Sequence, residues 1–170
     1  MRLYEPSVLD QIVLAIIGEK PRHGFAVSKE LETDPSLSAV IRARRPLVYR
    51  SINSLVDAKL IRETKTEPGD QGSPRVIYAA TATGKSTTTK WLNDTVNHPR
   101  DARIELLAKF VLRNRRNLTN QQLAKRQKKL FENQAAKLQV SANLATDDVR
   151  LVSLWRVENI NAMIRLLEAV

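Results

Sequence analysis

At 170 residues, 42 % of them hydrophobic, the chain is long enough to bury one core and carry a helical extension. A formal charge of +10 and a pI near 10.2 favour a polyanionic partner, nucleic acid ahead of an anionic membrane surface. The absence of cysteine excludes disulfides, thiolate metal sites and cysteine nucleophiles, and fits a reducing compartment. No apolar run approaches the ~20 residues of a membrane span. Val8–Gly18 resembles a signal-peptide core, but Asp10 and Gln11 interrupt it and Glu5 precedes it, so it reads as a core helix and the expected location is cytoplasmic.

Val8, Ile12 and Ile16 with Leu9, Val13 and Ile17 repeat at i+4 and predict a helix over about 7–17. Gly18 to Gly24, with Pro21, breaks it, and a second short helix runs from about Phe25 to Glu32. Asp34-Pro35-Ser36 reads as a loop leading to Val40, Ile41 and an arginine-rich approach to the next helix. Pro46 suits the first turn of that helix, because its missing N–H needs no partner there. Val48, Ile52, Leu55, Val56 and Lys59 fall on one stripe, and Tyr49, Arg50, Asn53 and Asp57 on the other. Two strand-like runs follow, roughly 60–67 and 75–80, joined by the turn-forming segment 68–74. Beyond Thr81 the pattern is helical: about 83–96, 104–115, 119–145 capped by Thr119, and a last helix from Thr146-Asp147-Asp148 to the end.

A helix that buries one face and offers Arg, Tyr and Asn on the other, beside a basic hairpin, is how a winged helix-turn-helix reads DNA. The expected fold is mostly α: a winged helix-turn-helix domain with a two-stranded wing over 1–82, a connecting helix over 83–99, and an all-α dimerisation domain over 100–170. Arg45, Arg50 and Asn53 are the candidates for base edges, since Arg suits guanine and Asn suits adenine. Arg44 shares the helix approach, Tyr49 and Ser51 are assigned to phosphate, and Lys65 with Arg75 and the wing tip would follow the backbone. The last helix is apolar around most of its girth, so Leu151, Leu154, Trp155, Ile160, Met163 and Leu167 are expected to bury against a second copy.

Several segments resemble the PadR family of bacterial transcriptional regulators. Pro21-Arg22-His23-Gly24-Phe25 is similar to its P-x-H-G-Y/F approach to the second helix. Residues 47–61 are similar to its recognition helix, and 72–78 with Thr81 and Gly84 to its second wing strand. Trp91-Leu92, 100–112 and 155–158 resemble its C-terminal half. The chain departs from the family at Arg44-Arg45-Pro46, where Ser-Pro-Gly is usual, and in a wing less basic than usual at Ser73 and Val76. The resemblance implies a homodimeric repressor of a double-stranded operator, often released from DNA by a small-molecule effector. Trp91 and Trp155 are the residues able to stack on an aromatic effector.

Other chemistries find less support in the residues. Gly84-Lys85-Ser86 after a strand suggests a nucleotide-binding P-loop, but Ala79 replaces the first glycine and the preceding strand pairs back into a hairpin, so Thr83 as a helix cap is preferred. A protein-docking module on the same fold, without DNA, is the alternative from another class; an apolar outer face would favour it. His23 and His98 are the only histidines, which leaves no metal site, and His23 beside Gly24 reads as a helix cap. No partnered serine appears. No catalytic residue and no cofactor are expected. Seven basic residues over 113–131 (Arg113, Arg115, Arg116, Lys125, Arg126, Lys128, Lys129) read as a solvated face, with a phosphate contact as the sharper alternative.

Overall fold

In a computed structural model, which describes residues 4–69 and 72–170, the chain divides into two compact units. The first holds Met1–Asn93 and Leu107–Asn117; the second holds Asp94–Leu106 and Leu118–Val170.

Helix α1 (Val8–Glu19) is the centre of the first unit. Residues Asp10 to Ile17 are all buried, because the two apolar stripes read from the sequence meet different neighbours. Its start is a capping box: the Ser7 hydroxyl accepts from the Asp10 N–H, and the Asp10 carboxylate accepts from the Ser7 N–H. Around it lie α2 (Gly24–Thr33), α3 (Pro35–Val40), α4 (Arg45–Asp57), α5 (Ala82–Asn93) and α7 (Leu107–Asn114). His23 caps α2, its Nδ1 accepting from the Ala26 N–H at 3.0 Å, as the sequence suggested.

Two elements depart from the sequence reading. Asp34-Pro35-Ser36 opens α3: the Asp34 carboxylate accepts from the Ser36 and Leu37 N–H groups at 2.9 Å, and Pro35 occupies the first turn. The other is β1 (Arg22–His23), which pairs antiparallel with β3 (Gly72–Ala80), so the expected two-stranded wing is part of a three-stranded sheet ordered β1-β3-β2. β2 (Ile61–Gly69) pairs with β3 from Ile61–Ala80 to Gly69–Gly72, with irregularities after Glu63 and Glu67. The turn residues Asp70 and Gln71, and with them the wing tip, lie outside the described residues.

The end of α4 is abrupt. Lys59 takes a left-handed backbone (φ 58°), and the Leu60 and Lys59 N–H groups return to the Leu55 and Val56 carbonyls, closing the helix with paired backbone bonds. Lys59, expected on the buried stripe, is therefore exposed. The next residue, Leu60, offers its carbonyl to the Thr81 N–H at 3.0 Å and the Thr81 hydroxyl at 3.1 Å. The same hydroxyl accepts from the Gly84 N–H at 3.0 Å, so Thr81, and not Thr83, caps α5.

Three arginines near the end of α7 lock it within this unit. Arg113 is buried and donates to the Leu92 carbonyl and the Asn93 side chain. Arg115 meets Glu19, Glu30 and Asp34, while Arg22 meets Glu19 and Glu30, joining α1, α2 and the start of α3 in one ionic cluster. Arg116 donates to the Ala15 carbonyl at 2.9 Å. These three residues are internal ties, in place of the solvated face or phosphate contact read from the sequence.

In the second unit, α6 (Pro99–Asp101) leads into a π-helical turn (Ala102–Leu106), and α8 (Gln121–Leu144) and α9 (Asp147–Glu168) pack as an antiparallel pair. A Lys128–Glu168 ion pair at 2.8 Å links the start of one to the end of the other. The core is Leu123, Ala124, Phe131, Ala142, Val157, Ile160 and Leu167, with Val96, Ala102 and Leu106. One polar side chain enters it. Gln127 is wholly buried, and its amide accepts from the Val96 N–H at 2.7 Å and donates to the Val96 carbonyl at 2.9 Å. Replacing Gln127 with Leu would leave both backbone groups unpaired in the core, at a cost of about 2–3 kcal/mol. Urea denaturation should show a loss of that size for Gln127→Leu, and a loss below about 0.5 kcal/mol for the exposed Gln122→Leu.

Candidate nucleic-acid interface

Helix α4 is amphipathic by construction. Val48, Ile52 and Leu55 are fully buried against the core containing α1, each adding about 1.5–3 kcal/mol relative to exposure. Arg44, Arg45, Leu47, Tyr49, Arg50 and Asn53 stay exposed on the opposite side. Between Pro35 and Val56 the chain carries four arginines (42, 44, 45 and 50) and no acidic residue. Arg44 at the N-cap position and Pro46 in the first turn start the helix, so these cations sit at its N-terminal end. That placement opposes the helix dipole, which favours negative charge at an N-terminus. A site that concentrates positive potential in this way suits an anion.

Two aromatic contacts shape the same edge. The Arg45 guanidinium lies 4.7 Å from the centre of the Phe25 ring, and His23 stacks on Phe25 at 6.2 Å. Gly24 lets α2 approach closely: a Cβ there would sit 2.9 Å from Tyr49 Cε1 and from Ile52 Cδ1. The start of α2 and the outer face of α4 are therefore one continuous surface, with Tyr49 held between them. Phe25, in the first turn of α2, is 38 % exposed at this edge.

Ser51 is placed elsewhere. It is only 4 % exposed, and its hydroxyl bonds the Asp10 carboxylate at the start of α1. The phosphate role expected for Ser51 is replaced by an internal one, since positions 48, 51, 52 and 55 form a single buried stripe. Asp10 is also bonded by the Tyr4 hydroxyl at 2.9 Å and by Ser7. Burial pushes the Asp10 carboxyl up, but the bonds from Ser51, Ser7 and Tyr4 outweigh it, and its pKa falls below the ordinary value of 3.8. Burial, with the bond to Asp10, raises the Tyr4 phenol.

The sheet contributes less positive charge than expected. Across 61–80, Arg62, Lys65 and Arg75 are matched by Glu63, Glu67 and Asp70, so the hairpin read as basic is charge-balanced. Lys65 is exposed but pairs with Glu67 at 2.7 Å. Arg75 is half-buried and stands opposite Glu67 in the strand register. Between the sheet and α4, the net positive charge therefore lies on α4 and its approach.

The Gly84-Lys85-Ser86 segment does not form a phosphate loop. Its strand lies in an antiparallel sheet, and the N–H groups of Thr81, Gly84 and Lys85 are already bonded within the protein. A Cβ on Gly84 would overlap the Leu60 carbonyl oxygen, so glycine is required there by packing. Among the described residues no group of His, Asp or Glu is spaced to hold a metal ion, and no helix is long and apolar enough to cross a membrane.

The residues assigned to dimerisation and effector binding divide by burial. On α9, Leu151, Leu154 and Trp155 are exposed, Met163 is half-buried, and Ile160 and Leu167 are buried in the core beside α8. Trp155 is 66 % exposed. Trp91 is 8 % exposed in the core of the first unit, with the Lys109 ammonium 5.2 Å from the centre of its ring.

Helix α1, strand β1, helices α2 and α4 and the β2–β3 hairpin, in that order, make the first unit a winged helix-turn-helix domain. Residues 13–90 match the model of the Transcriptional regulator PadR-like family. Members of that family are transcription regulators and not enzymes. The fold is also that of Bacillus subtilis PadR, solved in complex with operator DNA, at a TM-score of 0.51 and 18 % identity over 96 % of each chain. The PadR-like transcriptional regulator BC1756 from Bacillus cereus is similar at a TM-score of 0.41 and 16 % identity, over 95 % of this chain and 94 % of that one. No curated protein matches the chain.

Two outcomes are expected. Gly84→Ala should lose about 3 kcal/mol or more of unfolding free energy from a clash with backbone, while Lys85→Ala should stay within about 0.5 kcal/mol of the parent and show no melting shift with ATP and magnesium. A lysine-dependent rise in melting temperature with ATP would restore the nucleotide reading. Asp10→Asn should cost about 1–2 kcal/mol at pH 7. Because the folded pKa of Asp10 is depressed, its contribution is complete above 3.8 and is lost as pH falls through the lower folded value. The gap between wild type and Asp10→Asn should therefore narrow below pH 4 in denaturant titrations; a constant gap would contradict the assignment.

Proposed function

We propose that the protein is a homodimeric transcriptional repressor that reads double-stranded operator DNA through α4. The observation that carries this reading is the exposed face of α4, with Arg44, Arg45, Tyr49, Arg50 and Asn53 on a helix whose other side is fixed in the core. A helix of this kind fits the major groove, where arginine recognises guanine and asparagine adenine. Arg50 has no partner among the described residues, which leaves its guanidinium available for a base edge. Lys65 and Arg75 take supporting positions along the backbone, and their pairing with glutamates makes their contribution smaller than that of α4. Bacillus subtilis PadR, which shares the fold, was solved with operator DNA, and this supports the choice of ligand.

The second copy is argued from α8 and α9. Val140, Leu144, Val149, Leu151, Val152 and Trp155 are exposed by half or more of their surface or nearly so. Large apolar side chains concentrated on one helix pair mark an association surface. In this reading Leu151, Leu154 and Trp155 meet the second copy, and Ile160 and Leu167 shape the helix that presents them. Two recognition helices would then address half-sites about 34 Å apart.

Competition titrations with operator and scrambled duplex test the reading. Arg50→Ala should cost about 1–3 kcal/mol on operator and relax preference at one position, with little loss on scrambled duplex. A uniform loss on both would assign Arg50 to phosphate, and no loss would remove α4 from the interface. For the dimer, light scattering of the wild type should give about twice the 19.2 kDa chain mass, and Leu151→Glu with Trp155→Glu should give the monomer mass with helical content retained. A wild-type monomer at micromolar concentration would contradict the assembly.

A further inference from the structure

Beside α4 lies a cleft of about 760 Å³, bordered by Arg44 and Arg45 and otherwise lined by residues given no role above. Its wall is formed by α2 and α3 and by the segment leading into α4, and its polar lining is Ser28, Glu32, Ser38, Arg42, Arg44 and Arg45. Three arginines and one acidic residue, Glu32, are among its lining residues, with the Arg45 guanidinium against the Phe25 ring. Arg42 and Arg44 have no ion-pair partner among the described residues. Ser28 is the more telling residue. It is 6 % exposed, lines the cleft, and its hydroxyl has no hydrogen-bond partner among the described residues. The hydroxyl is not among the side-chain atoms buried without a partner, so it opens onto the cleft, where water or a ligand can bond it. Ser38 offers a second hydroxyl, held only by a long 3.4 Å bond to the Pro35 carbonyl.

We infer that this cleft is an oxyanion site of the phosphate class, with Arg42 and Ser28 as the residues that define it. Arginine forks and hydroxyl donors are the chemistry that holds a tetrahedral phosphate, by charge-assisted and often bidentate bonds. The volume lies within the range of small-ligand sites. The phosphate has two sources, a backbone phosphodiester of bound DNA or a free phosphorylated small molecule. In the second case the ligand would occupy Arg44 and Arg45 and compete with DNA for them. Only the DNA source rests on the function proposed above.

Two arms separate these sources, both on the full chain, with Arg42→Gln, Ser28→Ala and the exposed control Arg103→Gln. In the first, inorganic pyrophosphate is titrated calorimetrically without DNA. Saturable binding weakened about tenfold or more by Arg42→Gln and by Ser28→Ala, but not by Arg103→Gln, establishes a free-phosphate site. In the second, affinity for scrambled duplex is measured across salt concentrations. A salt slope lowered by about one unit in Arg42→Gln, and unchanged in Arg103→Gln, establishes a backbone contact. Parallel melting curves confirm that the variants fold. If neither arm distinguishes Arg42→Gln from the control, the inference is overturned. If wild type binds no duplex at all, the DNA reading fails, and the pyrophosphate arm alone decides the cleft.

Discussion

The burial of α1 on all sides is the constraint on which the first unit depends. Residues 10–17 reach solvent hardly at all, and α4, α5, α7 and β3 are each positioned by packing on them. The start of α1 adds a polar lock, because Asp10 closes its own capping box and also bonds Ser51 of α4. The outer face of α4 is thus aligned by its back. Apolar contacts at Val48, Ile52 and Leu55 set its depth, and the Asp10–Ser51 bond restrains rotation about the helix axis. The DNA-reading role proposed for α4 needs both restraints, since its side chains would have to meet successive base pairs in one orientation.

The net charge of +10 divides into cations with different tasks. Arg22, Arg113, Arg115 and Arg116 are consumed inside the first unit, on carboxylates and backbone carbonyls. Arg75 and Lys65 stand beside Glu67 in the sheet. Arg42, Arg44, Arg45 and Arg50, in a stretch free of acids, form one outward cluster of cations at the start of α4.

Much of this was legible in the sequence, and the failures have physical causes. The main helices announce themselves by apolar spacing, and the β2–β3 hairpin by its turn residues. β1 did not, because two residues carry no periodicity and its partner Tyr78 lies 56 positions away. α3 was readable in principle: Asp34-Pro35-Ser36 is a cap followed by a first-turn proline, but the same residues also favour loops. Ser51 was misassigned by its hydroxyl, although its spacing from Val48 and Leu55 places it on the buried stripe. Arg115 could not be read at all, since its acidic partners precede it by 81 to 96 positions. Local patterns reveal which face is buried; they do not reveal which distant charge will meet a cation.

In the proposed function, DNA meets the face of α4 rather than positive charge in general. A charge-matched comparison tests it most directly: fluorescence anisotropy of a labelled duplex with Arg44→Ala/Arg50→Ala against Lys125→Ala/Lys129→Ala, two cations removed from exposed helical positions in each case. The α4 pair should lose affinity by about thirtyfold or more, as two good contacts at about 1–3 kcal/mol each require, while the α8 pair changes by less than about threefold. Equal losses in the two variants would contradict it.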